Sequence, residues 1–394
     1  MRIHDTVTQT LMPVGPAQGV ARLYACGITP YDATHLGHAF TYVSVDLLIR
    51  AWLDAGLEVR YAQNVTDVDD PLLERAAATG DDWRRLAAEQ VGLYRSDLTA
   101  LRVIPPDELT SVVDSIDLVL GLIQDLRERG AVYQLDDSDF PDWYFANPAA
   151  EPLLRGLNLD EARAREIFAE RGGDPDRPGK RHPLDCLVWR AERPGEPAWD
   201  SALGRGRPGW HVECTAIALD RLGADFDVQA GGADLAFPHH PMCAAEATAY
   251  TGEPFATAFV HTGMVGLDGT KMSKSLGNLV FVNQLLADGS DPMVIRLALL
   301  AQHYRSDWEY NSHLLAIADQ RLSRWRAAVA RPVGPAAAPV LAEVRAALRN
   351  DLDAPAALAA IDLWAAECLA GGGADASAPC LISDLTDALL GVAL

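Results

Sequence analysis

The chain has very little lysine. Of its 33 basic residues only Lys180, Lys271 and Lys274 are lysines, and two of those stand within four positions of each other. In a chain that otherwise uses arginine, such a pair points to a site needing a compact, flexible ammonium in place of a planar fork. Basic charge as a whole is short: 33 Lys+Arg face 55 Asp+Glu, and the formal net charge is −22. A field of that sign repels phosphate backbones and anionic headgroups, which disfavours broad nucleic-acid binding but does not exclude a small anion held by backbone N–H groups. Cysteine is sparse too. Six thiols, at 26, 186, 214, 243, 368 and 380, include no C-x-x-C pair and are too few for a disulfide framework, so a reducing compartment fits. No uncharged apolar run approaches the roughly 18 residues of a spanning helix, and the first residues lack a signal peptide's apolar region. The sequence therefore predicts a cytoplasmic protein without a membrane partner.

What is present is an ordinary globular balance over 394 residues, 49% hydrophobic and 22% charged, long enough for two or three domains. The run 20–25 is β-prone, and Leu57 to Tyr61 alternates apolar and polar residues. Between them Val45, Leu48, Ile49, Trp52 and Leu53 fall on one helical face, with Gly56 as the stop, so a βαβ unit is expected. Its first turn, Cys26 to His38, is long and polar for a connection, which suggests that it carries function. From about 82 to 130 the pattern is helical, and a hairpin-like stretch through Tyr133 and Tyr144 follows. More α/β pattern runs from 183 to about 265, including Asp225 to Gln229 and Phe259 to Val265, and beyond 311 the chain is Ala-rich and strand-free. The expected architecture is an α/β fold: a Rossmann-like parallel-sheet catalytic domain with an insertion, plus a C-terminal helical domain. Its parts would be 1–81 and 183–265 for the two catalytic halves, 82–182 for a mainly helical insertion, 266–310 for a loop and connecting region, and 311–394 for the helical domain.

Two motifs carry chemistry. His35-Leu36-Gly37-His38 follows a strand and opens a helix, where helix-start N–H groups meet anions and phosphate is the natural ligand; a capping and packing pair would show the same pattern. Lys271-Met272-Ser273-Lys274-Ser275 lies in a glycine-bounded loop after a strand, where two ammonium groups and two hydroxyls can close over a polyphosphate.

In this order, separated by an interrupted α/β domain, the two motifs resemble those of class I aminoacyl-tRNA synthetases. Cys26-Gly27 before Tyr31-Asp32, Asn64 to Asp70, Gly209 to Cys214, Gly231 to Leu235 and Phe237 to His240 all look like cysteinyl-tRNA synthetase, a resemblance covering about residues 20 to 310. That family includes enzymes that charge tRNA and the mycothiol-pathway cysteine ligases, which join cysteine to glucosaminyl-inositol. The turn Gly27 to His38 and the segment Glu170-Arg171-Gly172-Gly173-Asp174-Pro175 resemble the second group. Residues 311–394 hold 6 Arg, no Lys and 9 Asp+Glu, where a synthetase would hold an anticodon; an RNA-binding module normally shows a basic face. A truncated cysteinyl-tRNA synthetase and a non-catalytic binder of cysteinyl adenylate remain the alternatives.

The resemblance implies a site residue by residue. Cys26, Cys214 and His239, each at or just beyond the carboxyl end of an expected strand, would bind one Zn2+ and leave a position open for the substrate's thiolate. Trp210 would wall the amino-acid pocket, unless it is simply core, and Thr66 and Asp234 would take the ammonium. Gly27, Ile28, Thr29, Thr41, Asn64, Val65, Gly232, Ala233 and Val265 complete the expected adenylate contacts. ATP, together with Mg2+, and L-cysteine are the expected substrates, glucosaminyl-inositol the expected acceptor, and tRNA is not expected. His35 and His38 would place phosphates, Lys271 and Lys274 would stabilise pyrophosphate, and Asp234 is the candidate base. His211, Asp46 and the Asp67-Asp69-Asp70 cluster read as structural, and Cys186, Cys368 and Cys380 as packing cysteines. In one respect the chain departs from its relatives: cysteinyl-tRNA synthetases place a metal-binding glutamate four residues after the histidine, and here Cys243 stands there. Because catalysis needs an open position, Cys243 is expected near the metal and unbound.

Overall fold

The computed structural model describes residues 1–146, 157–267, 269–271 and 278–394, with the backbone alone at 270 and 271. Its centre is a five-stranded parallel sheet. In chain order the strands are Val20–Ile28 (β1), Glu58–Val65 (β2), Glu108–Ser111 (β3), Phe226–Gly232 (β4) and Ala256–Thr262 (β5). Their spatial order is β5-β4-β1-β2-β3, so the chain reverses its direction of travel across the sheet between β1 and β4. In such sheets a crevice opens at that reversal, beyond the carboxyl ends of the strands. Leu36–Asp54 (α1) follows β1 as its periodicity predicts, Trp210–Leu222 (α2) precedes β4, and His239–Thr251 (α3) follows it.

Alternation along β1 divides the molecule into two cores. Ala21, Leu23 and Ala25 face one side, where α1 and the C-terminal helices pack; Tyr24 and Cys26 face the other, with α2, α3 and the helix Ile116–Glu128. On β4 and β5, Val228, Ala230, Ala258 and Val260 join the first core. Their alternates, Gln229 and His261, are therefore turned toward Cys26.

The interval 82–130, helical in its periodicity, holds the helix Trp83–Ala100 but also β3, whose residues pair with β2 from Ala62↔Glu108 to Val65↔Ser111. Four residues with mixed burial carry too little alternation to reveal a strand, and only pairing with β2 makes them one. The expected hairpin is present, with Tyr133 opposite Tyr144, and it extends into a four-stranded antiparallel sheet that includes Cys186–Ala191 and Gly206–Pro208. Beyond 311 the described elements are helices: Ser312–Val329, Ala337–Arg349, Ala354–Leu369 and Ala378–Leu390. No described helix is long and apolar enough to cross a membrane.

Candidate active site

The turn after β1 is tied to β2 by Asn64. Its Oδ1 accepts from Gly27 N at 2.9 Å and from the Tyr24 hydroxyl at 3.0 Å, while its Nδ2 donates to Thr66 Oγ1 at 3.0 Å. Gly27 is required because a Cβ there would lie 1.6 Å from the Asn64 carbonyl oxygen. At the start of α1, His35 Nδ1 accepts from Gly37 N at 3.1 Å and His38 N at 3.4 Å, capping the helix. A Cβ on Gly37 would come within 2.8 Å of the His35 ring, so glycine lets that ring lie across the helix start. The His35 and His38 rings stack at 3.8 Å, and burial pulls His38 down to about 4, leaving it neutral at pH 7. Capping and ligand placement are thus compatible readings of His-x-Gly-His: Nδ1 of His35 serves the helix, and a proton on Nε2 can serve an anion.

Cys26 at the end of β1, Cys214 in the second turn of α2 and His239 at the first position of α3 bring one ligand atom each within 4.8 Å of one another, all three buried. Two sulfurs and an imidazole so gathered can hold a metal ion. Burial pushes the Cys26 thiol up, while the neighbouring Cys26 sulfur and His239 hold Cys214 well below the usual thiol range. His239 is oriented by His211, with Nδ1 atoms 2.8 Å apart, and by Trp210, whose ring stacks on it at 4.4 Å. Such outer contacts fix the ring and tautomer of a metal-binding histidine. The helix begins at His239, two residues before Pro241, and Cys243 lies one turn on. Its Sγ donates to the His211 carbonyl at 3.4 Å and sits 3.8 Å from His239 Nε2.

Residues 14–320 match the family model described as the tRNA synthetases class I (C) catalytic domain. The chain belongs to that family. Relatives agree over the full length: the L-cysteine:1D-myo-inositol 2-amino-2-deoxy-alpha-D-glucopyranoside ligase of Thermomonospora curvata is 58% identical, covering 100% of this chain and 94% of the relative. The proteins of the same name from Nocardiopsis dassonvillei and Streptomyces coelicolor are each 58% identical, covering 100% of this chain and 96% of the relative. Among solved structures, Mycobacterium tuberculosis methionyl-tRNA synthetase with methionyl-adenylate aligns with TM-score 0.67 at 17% identity over 89% of this chain and 82% of that one. The Agrobacterium radiobacter K84 LeuRS in its ternary complex gives 0.68 at 13% over 96% and 84%. Those two likenesses establish the fold.

On this class I (C) frame the other expected residues gather at the carboxyl ends of the central strands. Ile28 and Val65 pair at the ends of β1 and β2. Thr41 Oγ1 lies 2.7 Å from Thr262 Oγ1 and 3.9 Å from where a Cβ on Gly232 would be, which places α1 against the ends of β4 and β5. Ala233 and Asp234 form a 3-10 turn after β4, and Val265 pairs in parallel with Trp308. Asn64, one of the expected adenylate contacts, is buried, and its amide is engaged within the protein as described. Thr29 Oγ1 donates toward Asp69 at 3.5 Å. The Asp67-Asp69-Asp70 cluster has separate partners: Asp67 accepts from Ser111 Oγ at 2.5 Å and Val113 N at 3.0 Å, Asp69 caps the helix Asp70–Thr79, and Asp70 pairs with Arg190 and Arg207. Lys271 lies in the strand Thr270–Lys271, opposite Gly266; its side chain, like all of Lys274, falls outside the described residues.

Sequence reasoning passed over two features. Arg171, in the segment that resembles the ligases, donates its guanidinium to the carbonyls of Asp234 and Phe237 and so pins the turn between β4 and α3. Around Cys26, Gln229, His240 and His261 form a buried polar set. A glutamine inside the otherwise apolar Val228–Ala230 stretch of a central strand was the available signal, since buried polar groups have partners.

Proposed function

We propose that the chain is an ATP-dependent ligase that activates L-cysteine as cysteinyl adenylate and transfers it to the amine of glucosaminyl-inositol, forming the amide of mycothiol biosynthesis. The observation that carries this reading is the full-length 58% identity with ligases of that name.

Zinc is the metal that two thiolates and an imidazole fit, and when bound it would take the substrate's thiolate at an open position and reject serine, whose hydroxyl is a harder and poorer ligand. The chain's own residues do the rest. Trp210, stacked on His239, walls the amino-acid pocket. Thr66 Oγ1 already accepts from Asn64, which turns its hydroxyl proton toward another acceptor; the carboxylate that meets the substrate ammonium is Asp234. The cysteine carboxylate oxygen attacks the α-phosphorus of ATP and pyrophosphate leaves. Neutral His38 and the Nε2 side of His35 donate to phosphate oxygens without repelling each other, while Lys271 and Lys274 neutralise the departing pyrophosphate. In the second step the acceptor's unprotonated amine attacks the acyl carbon, AMP leaves, and the nitrogen gives up a proton, for which Asp234 is the candidate base.

The test is AMP release by purified protein offered preformed cysteinyl adenylate with glucosaminyl-inositol or with tRNA. Release with the amino sugar alone is expected. Aminoacylation of tRNA with indifference to glucosaminyl-inositol would overturn the reading, and absence of cysteine-dependent ATP–pyrophosphate exchange would reduce the protein to a binder.

A further inference from the structure

Cys26 receives two contacts that holding a metal does not require. Gln229 Nε2 donates to its Sγ at 3.1 Å, and His240 Nε2 lies 3.3 Å from the same atom. Both side chains are fully buried. His240 does not end the series. Its Nδ1 is 2.8 Å from His261 Nε2, and His261 Nδ1 is 2.8 Å from the hydroxyl of Thr6. Thr6 in turn is fixed by the backbone: its N–H donates to the Phe259 carbonyl at 2.9 Å, and the neighbouring Asp5 carboxylate accepts Phe259 N at 2.8 Å. A continuous line of hydrogen bonds therefore runs from the N-terminal strand Arg2–Asp5, through β5 and the start of α3, to the sulfur at the end of β1.

The line has a direction. A neutral imidazole has one donor and one acceptor nitrogen, a hydroxyl can do either, and a thiolate only accepts. If Cys26 is a thiolate, His240 must carry its proton on Nε2. Its Nδ1 then accepts, so His261 carries its proton on Nε2, and the Thr6 hydroxyl must donate to His261 Nδ1. Each link allows only one arrangement, and nothing in it is left over.

We propose that Thr6, His261 and His240 are positioning residues whose one-way hydrogen-bond chain, together with Gln229, presents two N–H donors to the Cys26 thiolate when a metal is held there. The inference rests on the reading of Cys26, Cys214 and His239 as a metal site. Two donors draw electron density from the sulfur, so Cys26 gives less charge to the metal and leaves it the more attractive to an incoming substrate thiolate. Without the Thr6 donor the two rings are free to exchange tautomers. His240 can then face the sulfur with a lone pair, which repels a thiolate.

The experiment uses Co2+ in place of the native metal and compares wild type, Thr6→Val and Thr6→Ser, the valine being close to isosteric with threonine. In wild type, Co2+ is expected to bind with a thiolate-to-cobalt charge-transfer band. Thr6→Val should move that band to lower energy and raise KM for cysteine about tenfold, the low end of the effect of losing an outer-shell partner. KM for ATP should stay unchanged, and Thr6→Ser should restore both readings. Nitrogen-15 NMR of the metal-loaded wild type should find the proton on Nε2 of both His240 and His261. An unmoved band and unchanged KM in Thr6→Val, or a proton on Nδ1 of either ring, overturns the proposal while leaving the metal site intact. A wild-type protein that takes up no Co2+ overturns the metal reading itself.

Discussion

Replacing Arg296 with methionine should destabilise the protein by about 3–5 kcal/mol, the cost of removing one partner from a buried ion pair. Arg296 and Asp46 are both wholly buried and form a direct pair. The same guanidinium donates to the Leu390 carbonyl at 2.6 Å and the Leu101 carbonyl at 2.7 Å, so it joins α1, the end of the helix Trp83–Ala100 and the last C-terminal helix. Methionine roughly fills the space but leaves two buried carbonyls without donors, at about 1–3 kcal/mol each. Asp46 keeps Arg50 Nε and Ile104 N, each at 2.8 Å, which limits the loss on its side. The native cation also pays a desolvation cost, visible in the way burial pulls its pKa down, and methionine returns part of that. With an unfolding entropy of about 2.1 cal/mol/K per residue, the chain should lose about 4–6 °C in Tm. Differential scanning calorimetry is the assay, with cysteine-dependent pyrophosphate exchange at low temperature to show that the site survives. Adding Asp46→Asn should cost less than the two single losses combined, because the carboxylate no longer needs its partner. A fall below about 1 °C for Arg296→Met would refute the clamp.

Three further outcomes are expected. Burial raises Glu246 to about 8 despite hydrogen bonds from Thr215 and Cys186, so between its ordinary 4.5 and 8 the folded state binds the extra proton and stability rises as pH falls; Glu246→Gln, which cannot ionise, should gain on wild type as pH climbs from 6 to 9, by at most about 3 kcal/mol, read as Tm against pH. Lys271→Ala and Lys274→Ala should slow ATP–pyrophosphate exchange about 100-fold yet leave transfer from preformed adenylate nearly unchanged, because pyrophosphate has gone by then, and equal damage to both half-reactions would exclude the assignment. Cys243→Ser should retain metal in elemental analysis and keep cysteine affinity, whereas Cys214→Ser should lose both; metal loss from Cys243→Ser would make that thiol a fourth ligand.

How much of this was legible in the sequence depended on whether neighbours in space were also neighbours in the chain. The helix after β1 was legible because Val45, Leu48, Ile49 and Trp52 repeat on one face, and all four are buried. The hairpin through Tyr133 and Tyr144 was legible for a similar local reason. β3 was not, because four residues become a strand only through pairing with β2. At the site, Cys26, Cys214 and His239 come from three separate elements and were found through family resemblance, since no spacing rule connects them. The contact of His240 with His261 and the reach of Arg171 to the Asp234 and Phe237 carbonyls depend on how β5 and the Arg171 segment pack around the start of α3. The motif letters were visible, but their partners were set by packing.

The same packing bears on the acceptor. In the resemblance to tRNA-charging enzymes, the region after 311 is where an anticodon would be held, and here its apolar faces are spent on α1. Ala354, Leu358, Ile361, Leu385 and Leu389 belong to one cluster with Phe40, Val43, Leu47 and Trp52 of that helix. Five of its six arginines sit beside carboxylates as well. Arg321 and Arg324 lie within 4.0 Å of Asp362, Arg326 pairs with Asp291, and Arg345 and Arg349 lie within 3.7 Å of Asp54 at the end of α1. A phosphodiester backbone would have to draw these guanidiniums away from carboxylates that already hold them, in a region with 9 Asp+Glu against 6 Arg. Each exposed pair is worth little by itself, at most about 1 kcal/mol, but arginines already drawn to Asp362, Asp291 and Asp54 are less available to a phosphodiester. The C-terminal helices thus pack behind the helix that carries His38 and Thr41, and on the proposed reading, with an amino sugar as acceptor, that packing is all they need to provide.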